Sequence, residues 1–148
     1  MAAYLSTELG GSANQTSAPV GYKPRATVYG ARLKRLRASF VYNSQATTDT
    51  LVVGNLPAGA TFAFGVLTAD TSSGTTTLAI GTAASNAKYK AAAAFTTTDT
   101  PTIFGKTAVV GAADPGLTAE EQVIVTLAAA GAPASGNLVV DLYYSMPN

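Results

Sequence analysis

Apolar and polar residues alternate along much of this chain, which is the pattern of β-strands with one buried face. The clearest case is the segment 32–43. Its apolar positions are Leu36, Ala38, Phe40 and Tyr42, and its polar positions are Arg35, Arg37 and Ser39. A strand is therefore predicted there, with the apolar set facing a core.

Further strands are predicted along the chain at 28–29, 50–53, 60–68, 75–81, 102–104 and 106–110. In the segment 60–68, Phe62, Phe64 and Val66 are expected to point the same way. Residues 54–59 contain Pro57 and two glycines, which predicts a turn between the second and third strands. Residues 83–95 are rich in alanine, and a short helix and an extended loop both fit them.

The C-terminal region contains two further apolar segments, 118–130 and 138–144. The first starts like a helix, but Val123, Ile124, Val125 and Thr126 are all β-branched and favour a strand. The turn Pro133–Gly136 separates the two segments, so they are predicted to form an antiparallel hairpin.

Seven or eight short strands with frequent turns predict an all-β domain, an antiparallel β-sandwich of the jelly-roll type, spanning residues 25–148. Residues 1–24 show no strand or helix period and contain Gly10, Gly11 and Pro19. They are predicted to form an extended N-terminal arm. Tyr4, Leu5 and Tyr22 are its expected anchors on a partner.

Charge is scarce, at 11% of residues against about 25% in an ordinary soluble domain. The net charge of +1 does little to keep copies apart, so the surface is expected to be partly covered by neighbours. No apolar run approaches the roughly 20 residues of a membrane-spanning helix, and no signal peptide is recognised at residues 1–10.

Candidate catalytic chemistry is sparse. The chain has no histidine and no cysteine, which excludes Ser–His–Asp and Cys–His catalysis and the commonest transition-metal ligands. Most of the eight acidic residues are expected to accept backbone N–H bonds in turns. Asp141 lies within an apolar strand, where it either faces solvent or meets a basic partner across an interface. No phosphate loop or calcium loop is recognised, so no enzyme, cofactor or metal site is predicted.

Six of the nine basic residues fall within fifteen positions, and no acidic residue interrupts them. They are Lys23, Arg25, Arg32, Lys34, Arg35 and Arg37. This strip is interpreted as docking on an acidic protein surface, with phosphate contact and a solvated, guarded strand edge as alternatives. Nucleic acid is disfavoured because the whole chain is nearly neutral.

Three segments carry a family resemblance: LVVGNLPAGATFAFGVLTADTSSGTTTLAIGTA, NAKYKAAAAFTTTDTPTIFG and EEQVIVTLAAAGAPASGNLVVDLYYS. They resemble small virion proteins of tailed bacteriophages. The resemblance implies a capsid decoration (cement) protein, of a type that is often β-rich and often trimeric. Its implied partners are the major capsid protein and copies of itself. Its implied location is the capsid exterior, after assembly in the host cytoplasm.

Two other classes stay open at this point. One is another virion part, namely a tail tube, head fibre or adaptor protein. The other is a carbohydrate- or receptor-binding β-sandwich, in which an exposed pair such as Tyr143 and Tyr144 would stack on sugars.

Overall fold

The computed structural model describes residues 32–47, 49–105 and 116–146. Eight strands run through these residues, and no helix occurs among them. The strands are β1 (Leu33–Val41), β2 (Thr50–Leu56), β3 (Thr61–Ala69), β4 (Thr77–Gly81), β5 (Lys90–Ala94), β6 (Thr102–Phe104), β7 (Glu121–Ala128) and β8 (Asn137–Ser145). The predicted strands at 28–29 and 106–110, and the predicted arm, lie outside the described residues.

The strands form two four-stranded sheets with the orders β1-β8-β3-β6, here called sheet A, and β2-β7-β4-β5, called sheet B. The pairs β1–β8, β2–β7, β3–β6 and β4–β5 are all antiparallel and nested within one another along the chain. This pairing corresponds to one long antiparallel hairpin that is rolled up. Successive strand pairs along the hairpin then belong alternately to the two sheets. This is a jelly roll, so the predicted fold class is confirmed.

The core lies between the two sheets and is built from alternating positions of each strand. Leu138, Val140 and Leu142 of β8 enter it from sheet A, and β7 contributes its own alternating apolar residues from sheet B. Gly65 of β3 is paired with Phe104 of β6, whose ring occupies the space that a side chain at position 65 would need. In β8, the apolar period of the sequence specifies the buried face directly.

The predicted hairpin of the last two strands is wrong. β7 pairs with β2 and β4, and β8 pairs with β1 and β3, so the connection at residues 129–136 crosses from one sheet to the other. Two consecutive amphipathic strands can bury their apolar faces by facing each other across the core as well as by pairing in one sheet. The sequence pattern is the same in both arrangements.

The predicted orientation of Phe64 and Val66 is also wrong. The register of β3 against β8 shifts between Phe62 and Phe64, because a β-bulge at Ala63 adds one residue to the strand. Phe62 is buried in the core, whereas Phe64 and Val66 lie on the outer side of sheet A and are half-buried. One inserted residue reverses the faces of everything that follows it.

Two ambiguous segments are resolved. Residues 83–95 form neither a helix nor one continuous loop, because Lys90–Ala94 form strand β5. The turn predicted at 54–59 is shorter than expected, since β2 continues to Leu56 and the turn residues proper are 58 and 59. Hydrogen bonding to a neighbouring strand overrides the local preferences of alanine and glycine in both places.

Candidate interaction surface

The structure describes four of the nine residues predicted to bind a partner. Arg32 precedes β1, and Lys34, Arg35 and Arg37 belong to it. The other five, Tyr4, Leu5, Tyr22, Lys23 and Arg25, lie outside the described residues. β1 is an edge strand of sheet A, so its side chains are accessible from the face and from the edge.

Strand alternation divides the basic residues of β1 between two sides. Arg35 and Arg37 lie on the outer side of sheet A, as predicted. Lys34 has the phase of Leu36, which packs against the core, but it is exposed because it lies near the end of the strand. The described part of the predicted strip is therefore not one continuous basic face.

Asp141 of β8 sits beside both outward arginines. The Nε atom of Arg35 donates to Oδ1 of Asp141 at 2.9 Å, and a guanidinium nitrogen of Arg37 lies 3.9 Å from Oδ2. Asp141 lies on the outer side of sheet A, as the solvent-facing interpretation has it, but its side chain is only 13% exposed and its basic partners come from the same chain. The hydrogen bond to Asp141 raises the pKa of Arg35 above its ordinary value. Asp141 thus neutralises part of the positive charge of the two arginines within the sheet.

Aromatic rings adjoin this charged group. Phe64 and Tyr143 occupy paired positions of β3 and β8, and their rings stack with centroids 4.7 Å apart and planes at 19°. Arg35 pairs with Tyr143 on the opposite side, so the three residues form one row across the sheet. Offset stacking of this kind contributes about 0.5–1.5 kcal/mol beyond area burial and holds both rings in place.

Exposed aliphatic residues surround the row. Ile103 of β6 is 72% exposed, Val41 is 68% exposed and Leu33 is 53% exposed. Ile103 pairs with Val66, which in turn pairs with Asp141. The outward positions of sheet A are therefore contiguous, and we call them the sheet A face. It includes Leu33, Arg35, Arg37, Ser39, Val41, Phe64, Val66, Thr68, Ile103, Val139, Asp141 and Tyr143.

The composition of the sheet A face is that of a protein-binding surface. Aromatic residues and arginine are enriched at interfaces, and monomeric proteins rarely expose large contiguous apolar patches. Sequence reasoning missed part of its apolar area because Phe64 and Val66 were expected on the same side of the strand as Phe62. The sequence feature that could have indicated an exposed apolar surface is Ile103, which lies in a strand of only three residues.

The pair of tyrosines suggested for sugar stacking does not form. Tyr143 stacks on Phe64 on the outer side, whereas Tyr144 packs against the core from the other side of β8. Consecutive residues of a strand point to opposite faces, so the two rings do not form a platform.

Most of the described acidic side chains have structural partners. Asp49 accepts the Ala46 amide at 2.8 Å, and Asp70 accepts the Asn137 amide at 2.7 Å. Glu121 accepts from the Lys88 ammonium and the Tyr89 hydroxyl. Within the described ranges, no group of three or more acidic side chains is placed to hold a metal ion, and no helix is long and apolar enough to cross a membrane.

The chain resembles proteins in solved phage capsids. A chain of the Cyanophage Pam1 capsid asymmetric unit matches with a TM-score of 0.65 and 24% identity, over 92% of this chain and 96% of that one. A chain of the acidic stable capsid of Helicobacter pylori bacteriophage KHP30 matches with a TM-score of 0.55 and 16% identity, over 78% of this chain and 89% of that one.

A third match is to a chain of the capsid of Ralstonia phage GP4, with a TM-score of 0.55 and 18% identity, over 80% of this chain and 85% of that one. At these identities the matches show a common fold. The coverage shows that each related chain has a length similar to this one. No protein-family model and no curated protein matches the sequence.

Proposed function

We propose that this protein is a structural component of a bacteriophage virion and acts through contact rather than catalysis. The observation that carries the proposal is the Pam1 match, which extends over nearly the whole of both chains. Two further capsid chains of similar length share the jelly roll. The low charge of the sequence and the exposed sheet A face fit a protein that works among neighbouring subunits.

Within that class, we propose a decoration protein that binds the outside of the capsid and strengthens the lattice of the major capsid protein. Its docking surfaces are the sheet A face and the N-terminal arm, with Tyr4, Leu5, Tyr22, Lys23 and Arg25 as arm contacts. Arg32 and Lys34 extend the positive charge at the rim, next to Arg35 and Arg37. Several weak contacts on one molecule raise avidity without any single strong bond.

The sheet A face has a mixed chemistry that determines what it binds. Leu33, Val41 and Ile103 offer apolar area, whereas Asp141 offsets much of the charge of its two arginines. The partner surface is therefore expected to be apolar opposite Leu33, Val41 and Ile103 and to carry acidic groups opposite the exposed ends of the two arginines. This revises the sequence-based picture of a purely basic strip.

Quantitative binding to phage heads that lack the protein tests the proposal. Ile103→Glu places a charge on the most exposed apolar residue of the sheet A face, on the edge strand β6, and is expected to lower the affinity about tenfold or more. Gln122→Glu is the matched control, because it adds the same charge on the exposed side of sheet B. Deletion of residues 1–24 is expected to abolish binding and leave the strand content unchanged.

The outcomes separate the parts of the proposal. Full binding by Ile103→Glu would show that the sheet A face is not part of the interface. Full binding by the deletion variant would show the same for the arm. Absence of the wild-type protein from purified particles would overturn the function itself.

A further inference from the structure

The two lateral edges of the sandwich differ in how they are protected against pairing with other strands. β1 contacts β2, so these strands form one side of the sandwich and the sheet orders place β6 and β5 at the other side. The β1 edge carries Lys34, Arg35 and Arg37, which is the usual protection of an exposed strand. β5 consists of Lys90 and four exposed alanines, Ala91–Ala94.

The single charge of β5 does not protect its edge. The Lys90 ammonium turns back and donates to the carbonyl oxygens of Leu78 at 3.1 Å and Ala91 at 3.2 Å. Leu78 stands at the register shift between β4 and β5, and burial lowers the pKa of Lys90. Among the described residues, the side chains along β5 beyond Lys90 are therefore the methyl groups of Ala91–Ala94.

The backbone of β5 is directed so that it can accept another strand. The Phe95 amide donates to the Ser73 hydroxyl at 2.8 Å, and the Phe95 carbonyl accepts the Ser73 amide at 2.8 Å, so both groups face the body of the domain. Backbone groups of consecutive strand residues point to opposite edges. The N–H and C=O of Ala94 therefore face away from β4, where an added strand would lie.

The chain contains a segment suited to this edge. Thirty-one residues precede Arg32, and the first 22 contain a single charged residue, Glu8. The whole segment that precedes Arg32 would span about 100 Å if it were fully extended. A domain of this size is roughly 40 Å across. The segment joins the domain at β1, on the side opposite β5, so a copy placed side by side presents its β5 to it.

We propose that β5 is a strand-addition site for the N-terminal arm, residues 1–24, of a second copy of this chain. The inference rests on the proposed function, because it names one contact among the copies that share the capsid surface. The arm adds an antiparallel or parallel strand next to β5 and extends sheet B by one strand. The contact joins two different surfaces, so its repetition gives a closed ring where the rotation between copies closes and an open row of copies where it does not.

Sedimentation velocity of the full chain over a concentration series tests the proposal. Wild-type protein is expected to associate. Ala94→Pro removes the outward N–H while leaving the β4 side of the strand intact, and is expected to weaken association about tenfold. Ala94→Ser keeps the N–H and is the matched control. Ala94→Lys is a second disruption that keeps the N–H, in case proline destabilises the fold.

Hydrogen–deuterium exchange on the same samples locates the contact. The Ala94 amide is expected to exchange slowly in the associated wild type and rapidly in Ala94→Lys. The proposal is overturned if the wild type stays monomeric at every concentration, or if both Ala94→Pro and Ala94→Lys associate like the wild type. Binding of the same variants to phage heads is measured separately. A negative result for strand addition therefore does not decide the proposed decoration role, which the head-binding assay tests.

Discussion

Tyr42 directly follows β1. Its buried hydroxyl allows a test of how a polar group without a hydrogen-bond partner affects stability. The residue is 1% exposed, and its hydroxyl has no hydrogen-bond partner among the described residues. Burial, assisted by the charge of Asp70, raises the pKa of Tyr42 to about 12. Tyr89 is buried to the same extent, but its hydroxyl donates to Glu121.

The substitution Tyr42→Phe is expected to stabilise the protein. A buried polar group without a partner costs about 1–3 kcal/mol, and removing the hydroxyl recovers part of this while the ring keeps its packing. We expect a gain of about 1 kcal/mol in the free energy of unfolding at pH 7. Tyr89→Phe should have the opposite effect, a loss of about 1.5–3 kcal/mol, because it deletes a hydrogen bond to a carboxylate.

The pKa of Tyr42 predicts how the difference varies with pH. An unfolded tyrosine ionises near pH 10, whereas the folded one holds its proton until about pH 12. The stability contributed by this raised pKa is fully present below pH 10 and is lost as the pH rises from there towards 12. The advantage of Tyr42→Phe should therefore grow by about 1 kcal/mol between pH 9 and pH 11.

Urea unfolding at pH 7, 9 and 11 measures these differences. Far-ultraviolet circular dichroism is the suitable signal, because the chain contains no tryptophan. Other groups that titrate in this range are common to both proteins and cancel in the difference between variant and wild type. The reasoning is refuted if Tyr42→Phe is less stable than the wild type at pH 7, or if the difference stays constant to pH 11.

Two further predictions concern packing and acid stability. Gly65→Ala should cost about 1–3 kcal/mol in urea unfolding, because its new methyl carbon would lie 2.1 Å from the Phe104 ring. Gly105→Ala, with open space around it, should change stability by less than about 0.5 kcal/mol, and equal effects would contradict the packing argument. Hydrogen bonds from Asn137 lower the pKa of Asp70, so its contribution is present above the ordinary value near 3.8 and is lost as the pH falls towards the lowered one. Asp70→Asn should therefore lose less stability than the wild type between pH 5 and pH 2, and parallel curves would exclude this role.

The arrangement of the sheet A face explains why its chemistry was hard to predict. The arginines of β1 were correctly placed on the outer side, because strand alternation is a local property. Asp141 is 106 positions from Arg35 in the chain, and only the pairing of β1 with β8 brings their side chains to 2.9 Å. A cluster that is strongly basic in sequence thus becomes a mixed apolar and partly neutralised surface in the fold.

The sequence by itself determined most of the strands and the buried sides of β1 and β8. Period-two alternation placed Leu138, Val140 and Leu142 in the core, and the β-branched residues of 123–126 outweighed a helix-like start. These properties depend on backbone geometry over a few residues. Strands with a clear alternating or β-branched pattern can therefore be assigned without knowing their neighbours.

Only the tertiary structure decided which strands are neighbours and which faces meet. The bulge at Ala63, which turns Phe64 outwards, arises from the register of β3 against β8. The crossing of β7 and β8 into different sheets, and the strand at Lys90–Ala94, likewise depend on pairing with distant strands. Hydrogen-bonded pairing joins residues far apart in the chain, and the apolar pattern of one strand is compatible with several partners.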